Sequence, residues 1–170
     1  MRFTPMFITL CLLSLPAAAA GKHDHGTGRL DVAIEKDRIT LNLELPMDTL
    51  VSFERAPRNA KEREALDAAG AKLKDGAALF LPVAAAQCTL KSADVNLPFA
   101  TNAPAEKGAE GHADVDARYE FQCARRDALT SIDTALFKTF PRLYRVELQR
   151  IGPVGQGGGR LTPKAPAIRW

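Results

Sequence analysis

The sequence predicts an α+β domain: a mostly antiparallel sheet with one main helix packed on it. Three observations lead there. Apolar and polar residues alternate from residue 30 to 45, and alternate again from residue 115 to 123. Between these stretches, residues 59–76 carry an apolar stripe at helical spacing, with a capping residue in front of it.

The first alternation sets Leu30, Val32 and Ile34 against Asp31, Ala33 and Glu35. After a turn at Lys36 and Asp37, Ile39, Leu41, Leu43 and Leu45 alternate with Thr40, Asn42 and Glu44. Side chains repeat every two residues along a strand, so this reads as a hairpin with one buried face. Pro46 ends the second strand, and residues 47–53 suit a short helical turn. Asn59 and Glu62 form a capping-box-like pair ahead of the stripe Leu66, Ala69 and Leu73. Lys72 and Lys74 suit the negative end of that helix, and Gly76 suits its stop.

Ala86, Cys88 and Leu90 share one face of a third strand. Residues 97–111 are rich in Pro, Ala, Gly and charge, as in an exposed loop. In the fourth strand Val115, Ala117, Tyr119, Phe121 and Cys123 face one way. Residues 125–130 read as a helical turn, and 132–137 and 143–151 as strands. The glycine-rich residues 152–159 read as a loop, and 161–170 as a tail with an edge strand.

Residues 1–20 have the order of a secretory signal peptide: Arg2, an apolar run from residue 7 to 15, then Pro16 and four alanines. The run is too short for a bilayer span, which needs roughly 20 apolar residues. The domain is then expected over residues 21–170, periplasmic, with no membrane span. The whole chain has 23 Lys and Arg against 20 Asp and Glu, a formal charge of +3. Charges of both signs are interspersed and aromatics are few, which argues against nucleic-acid binding.

Cys88 and Cys123 remain after the signal is removed. In an exported chain two cysteines most simply form one disulfide. If their strands pair around the loop, the two can meet across the sheet. The alternative, a redox pair, usually sits together as C-x-x-C at a helix start.

The histidines are His23, His25 and His112. His23 and His25 fall in the polar arm of residues 21–28, and His112 with Asp114 begins the fourth strand. Imidazoles joined by carboxylates are zinc ligands. A shared site of His23, His25 and His112, with Asp114 or Glu54, is one reading; histidines placed by chance in polar segments are the other. Glu54 and Asp48 are a possible carboxylate pair, set against the commoner case of solvated surface acids. No nucleophile elbow, phosphate loop or H-E-x-x-H is present, and nothing points to an enzyme.

Several stretches together resemble the ZrgA family, periplasmic proteins associated with zinc uptake. They are His23-Asp24-His25-Gly26, Leu45-Pro46, Phe53-Glu54-Arg55-Ala56-Pro57, Cys88, Gly111-His112-Ala113-Asp114, Tyr119-Glu120-Phe121-Gln122-Cys123, Leu136-Phe137 and Phe140-Pro141. A glycine-rich stretch before Leu161-Thr162 completes the order. The resemblance implies a zinc-binding accessory protein and, as partner, an inner-membrane transporter of the ABC type. The family's histidine-rich loop is reduced here to His112, and Arg55 stands where relatives often carry histidine. A metal-free module docking on the transporter is the alternative function.

Cleavage after Ala20 would leave Gly21-Lys22-His23 at the amino terminus. An amine followed by a third-position histidine offers four nitrogens in a plane, which suits copper(II) or nickel(II). Cleavage one residue to either side removes that arrangement.

Overall fold

Alternating apolar side chains build the larger of two sheets. A computed structural model describes residues 25–100 and 113–169. Along the chain run β1 (Thr27–Glu35), β2 (Arg38–Pro46), α1 (Met47–Val51), α2 (Ala60–Lys74), α3 (Gly76–Leu79), β3 (Phe80–Pro82) and β4 (Cys88–Asn96). After them come β5 (Asp114–Cys123), β6 (Ser131–Thr134), α4 (Leu136–Thr139), β7 (Arg145–Gly152), β8 (Gly155–Leu161) and β9 (Ala167–Arg169).

The larger sheet has the order β4-β5-β2-β1-β7-β8, and the smaller one β3-β6-β9. β1 and β2 form the hairpin their alternation implies, with Ile34 opposite Ile39 and Leu30 opposite Leu43. β5 pairs antiparallel with β2 on one side and with β4 on the other. β1 and β7 are parallel, so the sheet is mostly and not wholly antiparallel. Leu30, Val32, Leu41, Leu43, Tyr119 and Phe121 are buried on its inner face. Phe80, Ile132 and Ile168 of the smaller sheet complete the same core, and the Phe80 and Tyr119 rings lie 5.1 Å apart.

Four helices accompany the sheets among the described residues, where the sequence suggested one main helix. α2 has 15 residues and presents Leu66, Ala69, Gly70 and Leu73 to the core. The others are single turns of five, four and four residues. Asn59 caps α2 by accepting from the Glu62 N–H at 2.9 Å. The Glu62 carboxylate, however, reaches the Arg58 N–H at 2.7 Å and not that of Asn59.

Gly76 does follow the end of α2, but its role is packing. A side chain there would overlap the Tyr119 ring. Asp75 then starts α3, its carboxylate accepting from the Ala78 N–H at 3.2 Å. Ala86 lies in a short 3-10 turn, so the third long strand begins only at Cys88. The strand expected over 132–137 stops at Thr134, whose hydroxyl accepts from the Leu136 N–H at 2.9 Å and turns the chain into α4.

The largest correction concerns residues 152–159. They are not a loop. Gly152 opposes Gly155 across a two-residue turn, and β8 then pairs with β7 along its length. Glycine has no side chain to alternate, so periodicity along the sequence does not mark this strand.

Candidate metal centre

Three donor side chains from three separate segments converge at one end of the larger sheet. His25 precedes β1, Asp48 lies in α1, and Glu54 follows α1. One ligand atom from each lies within 4.8 Å of the other two. Local structure places each of them. Pro46 ends β2, and α1 turns the chain back at once. Ser52, in a left-handed conformation at φ 73°, closes that turn by donating its N–H to the Asp48 carbonyl.

Asp48 is thereby held with its side chain only 23% exposed, and its Oδ2 meets His25 Nδ1 at 2.5 Å. The His25 side chain is 67% exposed, so the group is open to solvent on that side.

Glu54 depends on a neighbouring anchor. Arg55 donates to both Glu62 carboxylate oxygens, at 2.7 and 2.9 Å. The same guanidinium lies 5.1 Å from the Phe53 ring centroid. Planar, two-bonded pairing of this kind fixes orientation as well as distance. It ties the segment bearing Glu54 to the first turn of α2. Hydrogen bonds from Arg55 and then from the Arg58 N–H lower the Glu62 carboxyl to about 2. Arg55 is thus occupied as an anchor for the segment that bears Glu54.

The remaining candidates fall as follows. Asp114 opens β5 opposite Pro46 and is not among the three converging donors. The Ala113 carbonyl accepts from the Met47 N–H at 2.8 Å, so β5 starts beside α1. Gly21, His23 and His112 lie outside the described residues. Cys88 and Cys123 are register partners at the ends of β4 and β5 and form a disulfide.

Asp48 belongs to the cluster although sequence reading gave it only as one half of a carboxylate pair with Glu54. Its spacing from His25 is 23 residues, which no local pattern reports. The hairpin supplies the link: β1 and β2 are antiparallel, so the residues just before one and just after the other end up together.

One imidazole and two carboxylates make a mixed nitrogen and oxygen donor set that suits zinc, with a fourth position left for water or another ligand. The two carboxylate charges balance those of a divalent ion. The donors therefore fit such an ion in both chemistry and charge.

Among the described residues no helix is long and apolar enough to cross a membrane. No curated protein matches the chain. A family model described as "ZrgA family zinc uptake protein" matches residues 22–170.

Proposed function

The chain belongs to the ZrgA family of zinc uptake proteins, and from that premise we propose that it is a periplasmic accessory protein that binds zinc between His25, Asp48 and Glu54. The observation that carries this reading is the convergence of those three donors from separate segments. Zinc is cargo here, not a resident cofactor. Three protein ligands and an open fourth position suit an ion that must be handed on, because closed four-ligand sites are the structural ones.

A disulfide is characteristic of chains that fold in an oxidising compartment, which supports export. In this reading the protein performs no catalysis, and its partner is a component of an ABC-type transporter in the inner membrane. The family description names zinc and lends no support to copper or nickel at Gly21.

The test is calorimetric titration of residues 21–170 with zinc chloride. One ion is expected to bind per chain, with binding lost in a His25→Ala, Asp48→Asn, Glu54→Gln triple variant. Undiminished binding by that variant would place the ion elsewhere. No binding by the wild type would leave the metal-free docking module as the function.

A further inference from the structure

His25 stands two residues before β1 with most of its side chain in water. Little burial holds it over Asp48. What holds the backbone there is Gly26. Its φ is +76°, a left-handed conformation that side-chain-bearing residues adopt at a cost. Its N–H donates to Thr49 Oγ1 at 3.3 Å, and Thr49, 2% exposed, is the residue after Asp48. Its carbonyl accepts from the Tyr144 N–H at 3.0 Å and the Arg145 N–H at 3.3 Å.

The Tyr144 ring closes over the same glycine. A Cβ on Gly26 would stand 2.5 Å from Tyr144 Cε1 and 2.8 Å from the Arg142 carbonyl. The Thr27 hydroxyl donates to the Tyr144 phenol oxygen at 3.3 Å. Arg145 places its guanidinium 5.9 Å from the centre of the ring. Tyr144 is nevertheless 51% exposed, so filling the core does not by itself account for its position.

We propose that Tyr144 and Gly26 form a clasp that presets His25 for the ion, with Tyr144 acting as a positioning residue. The inference rests on the metal-binding reading above. Without the ring, only the backbone bonds of Gly26 hold His25 in place, and more of its ordering must happen when the ion arrives. With the ring, the backbone that carries His25 is set once the protein has folded. The clasp ties the arm to α1 through Thr49 and to the start of β7 through Tyr144, so it joins both elements to the metal centre.

The test combines calorimetry with zinc chloride and amide-nitrogen NMR relaxation on metal-free protein, using residues 21–170. Tyr144→Ala should weaken zinc binding by about tenfold, the scale of ordering one residue. Tyr144→Phe keeps the ring and should bind as the wild type does. Gly26→Ala displaces the ring and should behave like Tyr144→Ala. In a His25→Ala background, Tyr144→Ala should produce no further loss. The His25 amide should lose rigidity in Tyr144→Ala while the β1 amides keep theirs.

Equal losses with and without His25 would overturn the clasp, as would a Tyr144→Ala protein that binds like the wild type. Should the wild type bind no zinc, the functional reading fails by itself. The relaxation data still decide the clasp in that case, because a rigid His25 amide in Tyr144→Ala would refute it.

Discussion

His25 Nδ1 and Asp48 Oδ2 lie 2.5 Å apart, nearer than two donors stand on one tetrahedral zinc ion. Donors about 2.0–2.1 Å from such an ion are roughly 3.3 Å from each other. On the proposed zinc-binding reading, an ion can enter between these two groups only if this hydrogen bond opens.

The first prediction follows. Asp48→Asn keeps the shape of the side chain but removes its charge, and should weaken zinc binding by at least about tenfold. Glu54→Gln should do likewise. Asp114→Asn, outside the converging group, should leave affinity within about twofold of wild type on the same scale. Isothermal calorimetry measures all three, and full retention of affinity by Asp48→Asn would remove that residue from the centre.

Acid should loosen the anchor beside Glu54. The Glu62 carboxyl is lowered from the ordinary 4.5 to about 2. A group lowered on folding contributes stability that is fully present above its unfolded value and is lost as pH falls towards the folded one. Wild-type stability attributable to Glu62 should therefore decline between about pH 4.5 and 2. Glu62→Gln should show a shallower acid limb over that window, read by urea denaturation at each pH. Identical limbs would mean that the Arg55 pair carries no linkage.

Tyr119 links the sheet to the end of α2. Its hydroxyl donates to the Leu73 carbonyl at 2.9 Å in the core, and burial raises its phenol well above the ordinary value. That carbonyl is in the last turn of α2, where no further turn supplies a donor. Tyr119→Phe leaves it without its partner and should cost about 1–3 kcal/mol in chemical denaturation. An unchanged midpoint would show that another donor replaces the hydroxyl.

The disulfide predicts a local effect as well as a global one. β4 is an edge strand, and Cys88 fastens its first residue to β5. Replacing both cysteines with alanine should lower stability by about 2–5 kcal/mol. Hydrogen exchange should rise first along β4. Intact-mass analysis of residues 21–170 after alkylation without reductant should find neither Cys88 nor Cys123 modified. Free thiols at both positions would contradict the bridge.

Much of the sheet was legible because only one of its faces is covered. Side chains from Leu30 to Ile34, and from Val115 to Cys123, meet water and core in turn, and the sequence keeps that rhythm. β8 keeps no such rhythm, because Gly157, Gly158 and Gly159 have no side chains to alternate. Its register comes from the short turn after β7 and from backbone bonds. The candidate metal centre is legible in the sequence only in pieces. His25 and Glu54 stand out in the sequence by residue type, and Asp48 only as a possible carboxylate partner of Glu54. Their meeting depends on a hairpin and a helical turn, which together close a gap that spacing along the chain cannot express.

The parallel pairing of β1 with β7 also sets an order of events in time. A chain emerging from its amino terminus presents β1 early, and β2 can fold back on it at once. The other side of β1 has no neighbour until residue 145 and beyond have appeared. During that interval β1 offers a bare edge of backbone donors and acceptors, the feature that invites wrong pairing with other chains. Completion of the sheet must wait for nearly the whole polypeptide, and contacts so distant along the chain form slowly. A truncation before β7 should therefore yield an aggregating fragment, not a smaller stable protein. The lines of the clasp from β7 run to Gly26, so the final strand to join the first also secures the arm that carries His25.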